Sequence, residues 1–555
     1  GQSGWKTNVW HAICSIWFLY LVNAFQSSIL SNLVAYATSD FETHSLLNII
    51  YVVASAMTAA VYIPLAKMLD IWGRAEAPKH LLTGHHITGF AIMTVFATLG
   101  LILMAISHNL PTFCAAYVFY TLGFGGMTFC VDVITADASK LRNRGLAYAF
   151  TSSPYIITAF AGSRASEAFY YDVSWRWAFG CFAIVFPVIA APLFFLLKIN
   201  LRKARARGNV VKAPSQRSLV QGYGTIPWSL TVIVVIRDTP PALGVVLFSV
   251  GLVVFLLPFD IADAAPQGWR SGYIIAMLAV GFTMLLVFVA WETLLAPAPM
   301  LNVGLMNNRT VIGACLLDAT YQVSYYCWSN CFPFLLQVVN GLSIAEAGYV
   351  SHTFDVVSGV PLLVVGFLIR RTDRFKWLLY GAVPLYLLAQ GLMIYFRRPD
   401  QSVGLLVMCQ VLLSVGSSVF IIVEKLAILT AVDHQHVVAA LAVLNVVGIV
   451  GGALGATVSG AVWTHVFPQV LARFLARFLP PADRPDLDAI YEDLPTQLGY
   501  AAGSEARVAI QAAYGYTQTR MLAAGTGVMG LALVWVLLIR NIDLTTAPQV
   551  KGMVF

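Results

Sequence analysis

Stretches of about twenty residues, apolar on every side and nearly free of charge, recur along the whole of this chain, about 14 of them. They fall at 9–37, 46–70, 87–107, 111–136, 147–170, 177–198, 242–260, 272–294, 310–338, 343–369, 377–396, 402–430, 437–467 and 519–540. Twenty residues rising 1.5 Å each cross a hydrocarbon core roughly 30 Å thick. In lipid every backbone group must be satisfied internally, which leaves helices or closed barrels. Barrel strands are alternating segments of about ten residues, and the continuous run from Ala242 to Pro258 is nothing of that kind. The chain is therefore expected to be an all-α polytopic membrane protein.

Composition closes the soluble alternatives. Of 555 residues 59% are hydrophobic and 11% charged, against about a quarter charged in soluble domains, and the mean hydropathy is +0.77. Eight cysteines are too sparse for a disulfide scaffold. The net charge of +7 gathers in one loop, so the expected partner is the lipid bilayer and not nucleic acid. With a cytoplasmic N-terminus, about 21 Lys and Arg fall inside and about nine outside. The inside set includes Lys140, Lys198, Arg202, Lys203, Arg205, Arg207, Lys212 and Arg217. An even number of spans then places both termini in the cytoplasm. No charged segment with a short apolar core and cleavage site is visible ahead of the first span, so no cleavable signal sequence is expected.

Short polar turns carry the next layer of information. Leu65-Ala66-Lys67-Met68-Leu69-Asp70-Ile71-Trp72-Gly73-Arg74 joins the second and third spans, and Gly366 to Arg374, with Arg370 and Arg371, recurs in an equivalent turn. An Asp near a helix end can pair with Arg or with an opposing helix N-terminus, and such a pair can latch one of two conformations. The fourth span holds Gly123, Gly125 and Gly126, runs through Asp132 to Asp137, and is followed by Arg142 and Arg144. The gating candidates are thus Asp70, Gly73, Arg74, Asp137, Arg142, Arg144, Arg370, Arg371 and Arg374.

These turns resemble the signature of the major facilitator superfamily, with Ala66 standing where the family has Gly. Further strings resemble the fungal siderophore–iron transporter family: Val338-Val339-Asn340-Gly341 through Tyr349, Leu368 to Thr372, Val407-Met408-Cys409-Gln410, His434-Gln435, Tyr36 to Ser39, and Ser153-Pro154-Tyr155 through Phe160. The matches extend from the first span to the last loop. The resemblance implies a major facilitator fold of 14 transmembrane helices. Its parts are a six-helix half at 1–198, a basic cytoplasmic loop at 199–241, two additional helices at 242–294, and a second half at 295–555 with an extracellular loop at 468–518. It implies import of ferric siderophores by proton symport and alternating access, with no enzymatic step. No cofactor is expected, because iron enters inside its chelate. The resemblance also implies a monomer in the plasma membrane, with endosomal or vacuolar membranes as alternatives. Competing functions on the same fold are a proton-coupled exporter of glutathione or drugs, and a haem importer.

An ionisable group at the centre of a span costs at least about 2.5–3.5 kcal/mol, so each is a functional candidate. Span nine is the richest. Asp318, Gln322, Tyr325 and Ser329 share a helical face, flanked by Tyr321, Tyr326, Trp328 and Phe332. Such a polar stripe with aromatic walls suits a bulky neutral chelate, a hydroxamate rather than a trianionic catecholate; the alternative is an interfacial aromatic belt with one packing Asp. Asn23 and Gln26 in span one are substrate candidates or interhelical glue. Arg164 and Glu167 are three apart and either pair together or face the cavity. Proton-coupling candidates are Asp132, Glu167, Asp318, Asp355 (with His352 as a relay) and Glu424. Glu424 and Lys425 project about 100° apart and should have separate partners.

The 468–518 loop adds Tyr491, Tyr500 and Tyr514 as candidate substrate contacts, with Arg507, Gln511 and Tyr514 on one face of a short helix capped by Ser504. It is expected to act as a lid or capture site, or else as a hairpin packing the last spans. Cys327 and Cys331 have no ligand neighbours and are expected to be buried thiols, so no metal site is expected. The pairs Gly448/Gly452 and Gly451/Gly455 are expected at a helix contact.

Overall fold

The computed structural model describes residues 2–41, 50–59, 62, 84–138, 141–206, 242–262, 265–295, 308–432, 437–481 and 484–544. Among them the regular structure is helical throughout, with no strand. The first group of helices is α1 (Gln2–Asp40), α2 (Ile50–Ala59), α3 (Gly84–Ala105), α4 (Leu110–Ala138), α5 (Leu141–Ser152), α6 (Pro154–Ala168) and α7 (Trp175–Ala206). Then come α8 (Ala242–Leu256) and α9 (Gly272–Ala290). The last group opens with α10 (Arg309–Ser329), α11 (Phe332–Val338), α12 (Ile344–Ser351), α13 (Thr353–Thr372), α14 (Lys376–Phe396) and α15 (Val403–Ala431). It closes with α16 (Val437–Phe478), α17 (Leu487–Glu492), α18 (Leu494–Gly499), α19 (Glu505–Met529) and α20 (Ala532–Leu538). Among the described residues nine helical stretches are long and apolar enough to cross a bilayer, and three shorter apolar helices stand at the second, third and seventh expected spans.

Two expected spans are broken by proline, which has no N–H to donate. At Pro154 the freed carbonyl of Phe150 accepts instead from the backbone N–H of Ser153 at 3.2 Å and from its hydroxyl at 2.8 Å. Pro333 stands in the first turn of α11, just past the break that separates it from α10. Much of the expected 468–518 loop is helical. The α16 helix continues through Pro468 to Phe478, where Arg484 caps its last carbonyls, and Ser504 caps the first turn of the long final helix α19. Charges such as Arg473 and Arg477 mark where the chain meets water, but a helix need not end there.

Without a hydrophobic drive between helices in lipid, close backbone approach supplies the cohesion. A Cβ added at Gly123 would lie 2.1 Å from the Ala97 nitrogen, so α3 and α4 touch backbone to backbone. Gly451 and Gly455 of α16 do the same for α10, where added Cβ atoms would meet the Ala319 and Val323 carbonyl oxygens at 2.5 and 2.7 Å. Leu252 and Leu256 of α8 pack against Val52 and Ala56 of α2 and against Ala453 and Ala456 of α16, bridging the first and last groups. On α9, Ile275, Phe282, Leu286 and Val289 are exposed, as a lipid-facing helix requires.

Candidate functional site

The helix ends define two levels in the bundle. Phe41, Phe113 and Trp175 cluster at the end that also carries α17 and α18, here termed the loop end. The last turns of α4 and α15 lie at the opposite, far end.

Between these levels is a cavity of about 320 Å³, walled by Tyr51, Thr58 and Tyr62 near α2, by Tyr117 and Thr121 of α4, by Asp318, Gln322 and Tyr326 of α10, and by Asn445 of α16. The glycines of α16 decide which α10 residues face it. Gly448 leaves room for the Asp318 carboxylate and Gly452 for the Tyr326 ring. Tyr326, and not Tyr325 as the sequence stripe suggests, therefore lines the cavity. Gln322 donates to Asp318 at 3.3 Å. Tyr321, Tyr325 and Trp328 turn the other way, into an aromatic cluster with Phe354, Tyr386 and Phe420. Phe332 is fully buried beyond the break, against Trp328.

Toward the far end, Lys425 of α15 donates to Asp132 of α4 at 2.6 Å, and both are largely buried. Tyr20 of α1 donates to the other carboxylate oxygen at 3.4 Å. Tyr148 donates to the Asp132 carbonyl and lies beneath the ammonium, 4.9 Å from ring centre to nitrogen. Both helices have 29 residues, and Asp132 and Lys425 occupy the same position within them. Glu424 is buried on a different side of α15 and has one carboxylate oxygen without a hydrogen-bond partner. Neighbours in sequence thus project in different directions, as their angular spacing requires.

Toward the loop end the groups meet through hydrogen bonds. Tyr36 of α1 donates to Gln337 of α11. His352 is hydrogen-bonded through Nδ1 to Asp355 and through Nε2 to Ser28 of α1, each at 3.0 Å. The Ser39 hydroxyl accepts from the Leu494 backbone at 3.3 Å. Above lies a vestibule of about 680 Å³, lined by Tyr36, Tyr170 and Trp175 and by the carboxylates of Asp40, Asp486, Asp488, Glu492 and Asp493. Sequence reasoning missed these carboxylates, although their density between Asp486 and Asp493 was a visible signal.

The remaining candidates scatter. Tyr491 stacks on Phe467, and the Tyr514 hydroxyl donates to Gln497 at 2.6 Å within a fully buried setting. Burial and the Asp486 carboxylate push the phenol of Tyr500 above its usual range. Arg507 donates to the carbonyls of Gln497 and Gln337, and Gln511 to Val339, so α19 pins both α11 and α18. Asn23 and Gln26 are buried, with the Asn23 carbonyl and the whole Gln26 amide lacking hydrogen-bond partners. Arg164 pairs with Glu167 and its side chain is 73% exposed. Arg144 is buried, Arg370 and Arg371 are exposed at the end of α13, and Arg374 stands 3.9 Å from Asp543. Asp373 ends α13 in the left-handed conformation, φ 53°. Asp70, Gly73 and Arg74 lie outside the described residues, as do the side chains of Asp137 and Arg142 and most of the 199–241 loop. Among the described residues no group of three or more His, Cys, Asp or Glu could hold a metal ion.

Comparison with known proteins adds an independent line. Residues 16–317 match the model of the Major Facilitator Superfamily. The chain is 50% identical over 543 residues to the siderophore iron transporter mirB of Emericella nidulans, covering 98% of this chain and 86% of that protein. It is 52% identical to MFS siderochrome iron transporter 1 of Gibberella zeae, covering 98% and 85%. In fold it is similar to a bacterial homolog of the human lysosomal transporter Spinster, inward-facing and unoccupied, with a TM-score of 0.55 at 12% identity over 99% of this chain and 100% of that one. The human organic anion transporter MFSD10 gives a TM-score of 0.54 at 11% identity, over 96% and 99%.

Proposed function

Because this chain belongs to the siderophore iron transporters of the Major Facilitator Superfamily, we propose that it imports ferric siderophores by alternating access, each chelate entering with protons. It is a multi-pass membrane protein and a transporter, not an enzyme. The observation that carries the coupling is the Asp132–Lys425 pair, which joins the first and last groups of helices with opposite charges. Removing charge from one member of a buried ion pair abolishes its Coulombic gain and leaves the other uncompensated. A proton delivered to Asp132 would therefore release Lys425 and let the far end open. Asp318, which lines the central cavity, and Glu424, buried with one carboxylate oxygen unpartnered, are the natural stations for that proton on its way from the loop end. Asp355, held by His352, is a further station nearer that end.

In this proposal the loop end faces outside, both termini are cytoplasmic, and 14 helices divide into two halves with α8 and α9 between them. The chelate is first held in the vestibule, whose five carboxylates repel a trianionic catecholate complex and accept a neutral hydroxamate one. The central cavity is smaller than the vestibule, so it widens as the loop-end contacts part. Gln322 and Tyr326 then meet the chelate first, with Asn23, Gln26 and the Tyr321–Tyr325–Trp328 wall behind them. Buried amides without partners cost free energy; chelate carbonyl oxygens would accept from the Gln26 nitrogen, and chelate N–H or O–H groups would donate to the Asn23 and Gln26 amide oxygens.

The test is uptake of radioactive iron, supplied as single pure siderophores, by cells lacking their own carriers, with and without a protonophore. A hydroxamate chelate should enter, and the protonophore should abolish its entry. Uptake indifferent to the protonophore contradicts symport, and uptake of a catecholate chelate alone contradicts the substrate class.

A further inference from the structure

We propose that Arg397 is a positioning residue that holds the hinge of a gate formed by the α10–α11 break. The inference rests on the transport reading but not on which chelate is carried. Arg397 closes the C-terminal end of α14 and is completely buried. It forms no ion pair among the described residues, and its Nε and Nη2 have no hydrogen-bond partner. Its Nη1 donates to the Trp328 carbonyl at 2.7 Å, and its guanidinium lies over the Phe332 ring, 4.5 Å from the ring centre.

These contacts fall on the break itself. The carbonyls at the end of α10 carry the negative pole of the helix dipole, and Arg397 caps them from a neighbouring helix. Two further side chains hold the same turn. Gln518 of α19 donates to the Cys331 carbonyl at 3.4 Å, and the Asn330 amide donates to Ser459 of α16 at 3.0 Å. Beyond the turn, α11 is a rod of seven residues whose other end carries Gln337, the partner of Tyr36. The α11 rod is thus hinged at one end and latched to α1 at the other. A neutral amide would suffice to cap one carbonyl at much lower desolvation cost. A guanidinium, with donors to spare in a fixed fork, can keep a carbonyl satisfied as the rod swings.

The gate can be read without transport. Ser31 lies beside His352, inward of the Tyr36–Gln337 latch, so a Ser31→Cys reporter meets a membrane-impermeant maleimide from outside only when the latch end opens. Arg397→Lys keeps the charge and loses the fork; Arg397→Met loses both. Each should change the labelling rate by about fivefold or more, the scale on which one charged hydrogen bond shifts a two-state equilibrium, at unchanged surface abundance. Phe332→Leu keeps the guanidinium but removes the ring beneath it, and should shift the rate in the same direction by a smaller factor. An unchanged rate in variants that reach the surface overturns the proposal. So does failure of both Arg397 variants to reach the surface while Phe332→Leu labels at the parent rate, because Arg397 is then a folding element only.

Discussion

At the far end the two groups of helices are joined by charge, Asp132 against Lys425, whereas at the loop end they are joined by neutral partners, Tyr36 with Gln337 and Ser39 with the Leu494 backbone. The two contacts respond to different inputs. A neutral hydrogen bond is worth about 1 kcal/mol net and can be exchanged for one to substrate. A buried ion pair is lost when its carboxylate takes a proton, and removal of one partner costs about 3–5 kcal/mol. Under the proposed mechanism the proton-sensitive contact would lie at one level and the substrate-sensitive contacts at the other.

The largest expected effect breaks the charged contact. Asp132→Asn should cut coupled uptake by about a hundredfold, the order of a broken buried pair, at surface levels checked by labelling. Because Asp132 and Lys425 occupy the same position in helices of equal length, exchanging them as Asp132→Lys with Lys425→Asp should recover activity to within about tenfold of the parent. An exchange variant as inactive as Asp132→Asn would deny that the pairing itself matters. Asp318→Asn should reduce coupled uptake by about tenfold while leaving the protein folded, the carboxylate being a station and not a tether. An unchanged pH dependence of uptake in that variant removes Asp318 from the proton path. At the neutral contact, Tyr36→Phe loses one hydrogen bond and should alter the KM for iron chelate about fivefold or less. The smallest effect is that of Arg164→Ala. An exposed pair is worth less than about 1 kcal/mol, and uptake should stay within about twofold; a larger loss would return Arg164 to the substrate path.

Much of this comparison was legible in one dimension. The price of charge in lipid made Asp132, Asp318, Asp355 and Glu424 conspicuous, and the angle between Glu424 and Lys425 foretold that the two project in different directions. Ser504 announced a helix start, and the glycine pairs of α16 announced close packing. What stayed hidden was set by tertiary geometry. Lys425 finds Asp132 293 residues away, a pairing that no local pattern encodes. Tyr326 replaces Tyr325 at the cavity because α16 presents glycine there. Arg397 sits where a basic residue at a helix end ordinarily meets water, and only the fold reveals that α10 ends against it. The extent of helix within 468–518 stayed hidden for a related reason, since α16 and α19 run beyond the stretch that hydropathy detects.

The central claim is that proton entry and chelate entry are one event passing through Asp132 and Lys425. Purified protein in proteoliposomes, loaded with a pH-sensitive dye and given a ferric hydroxamate outside, measures it directly. The account predicts acidification of the lumen that requires the chelate and disappears in Asp132→Asn. Chelate accumulation with no accompanying acidification, or acidification that persists in Asp132→Asn, would contradict it.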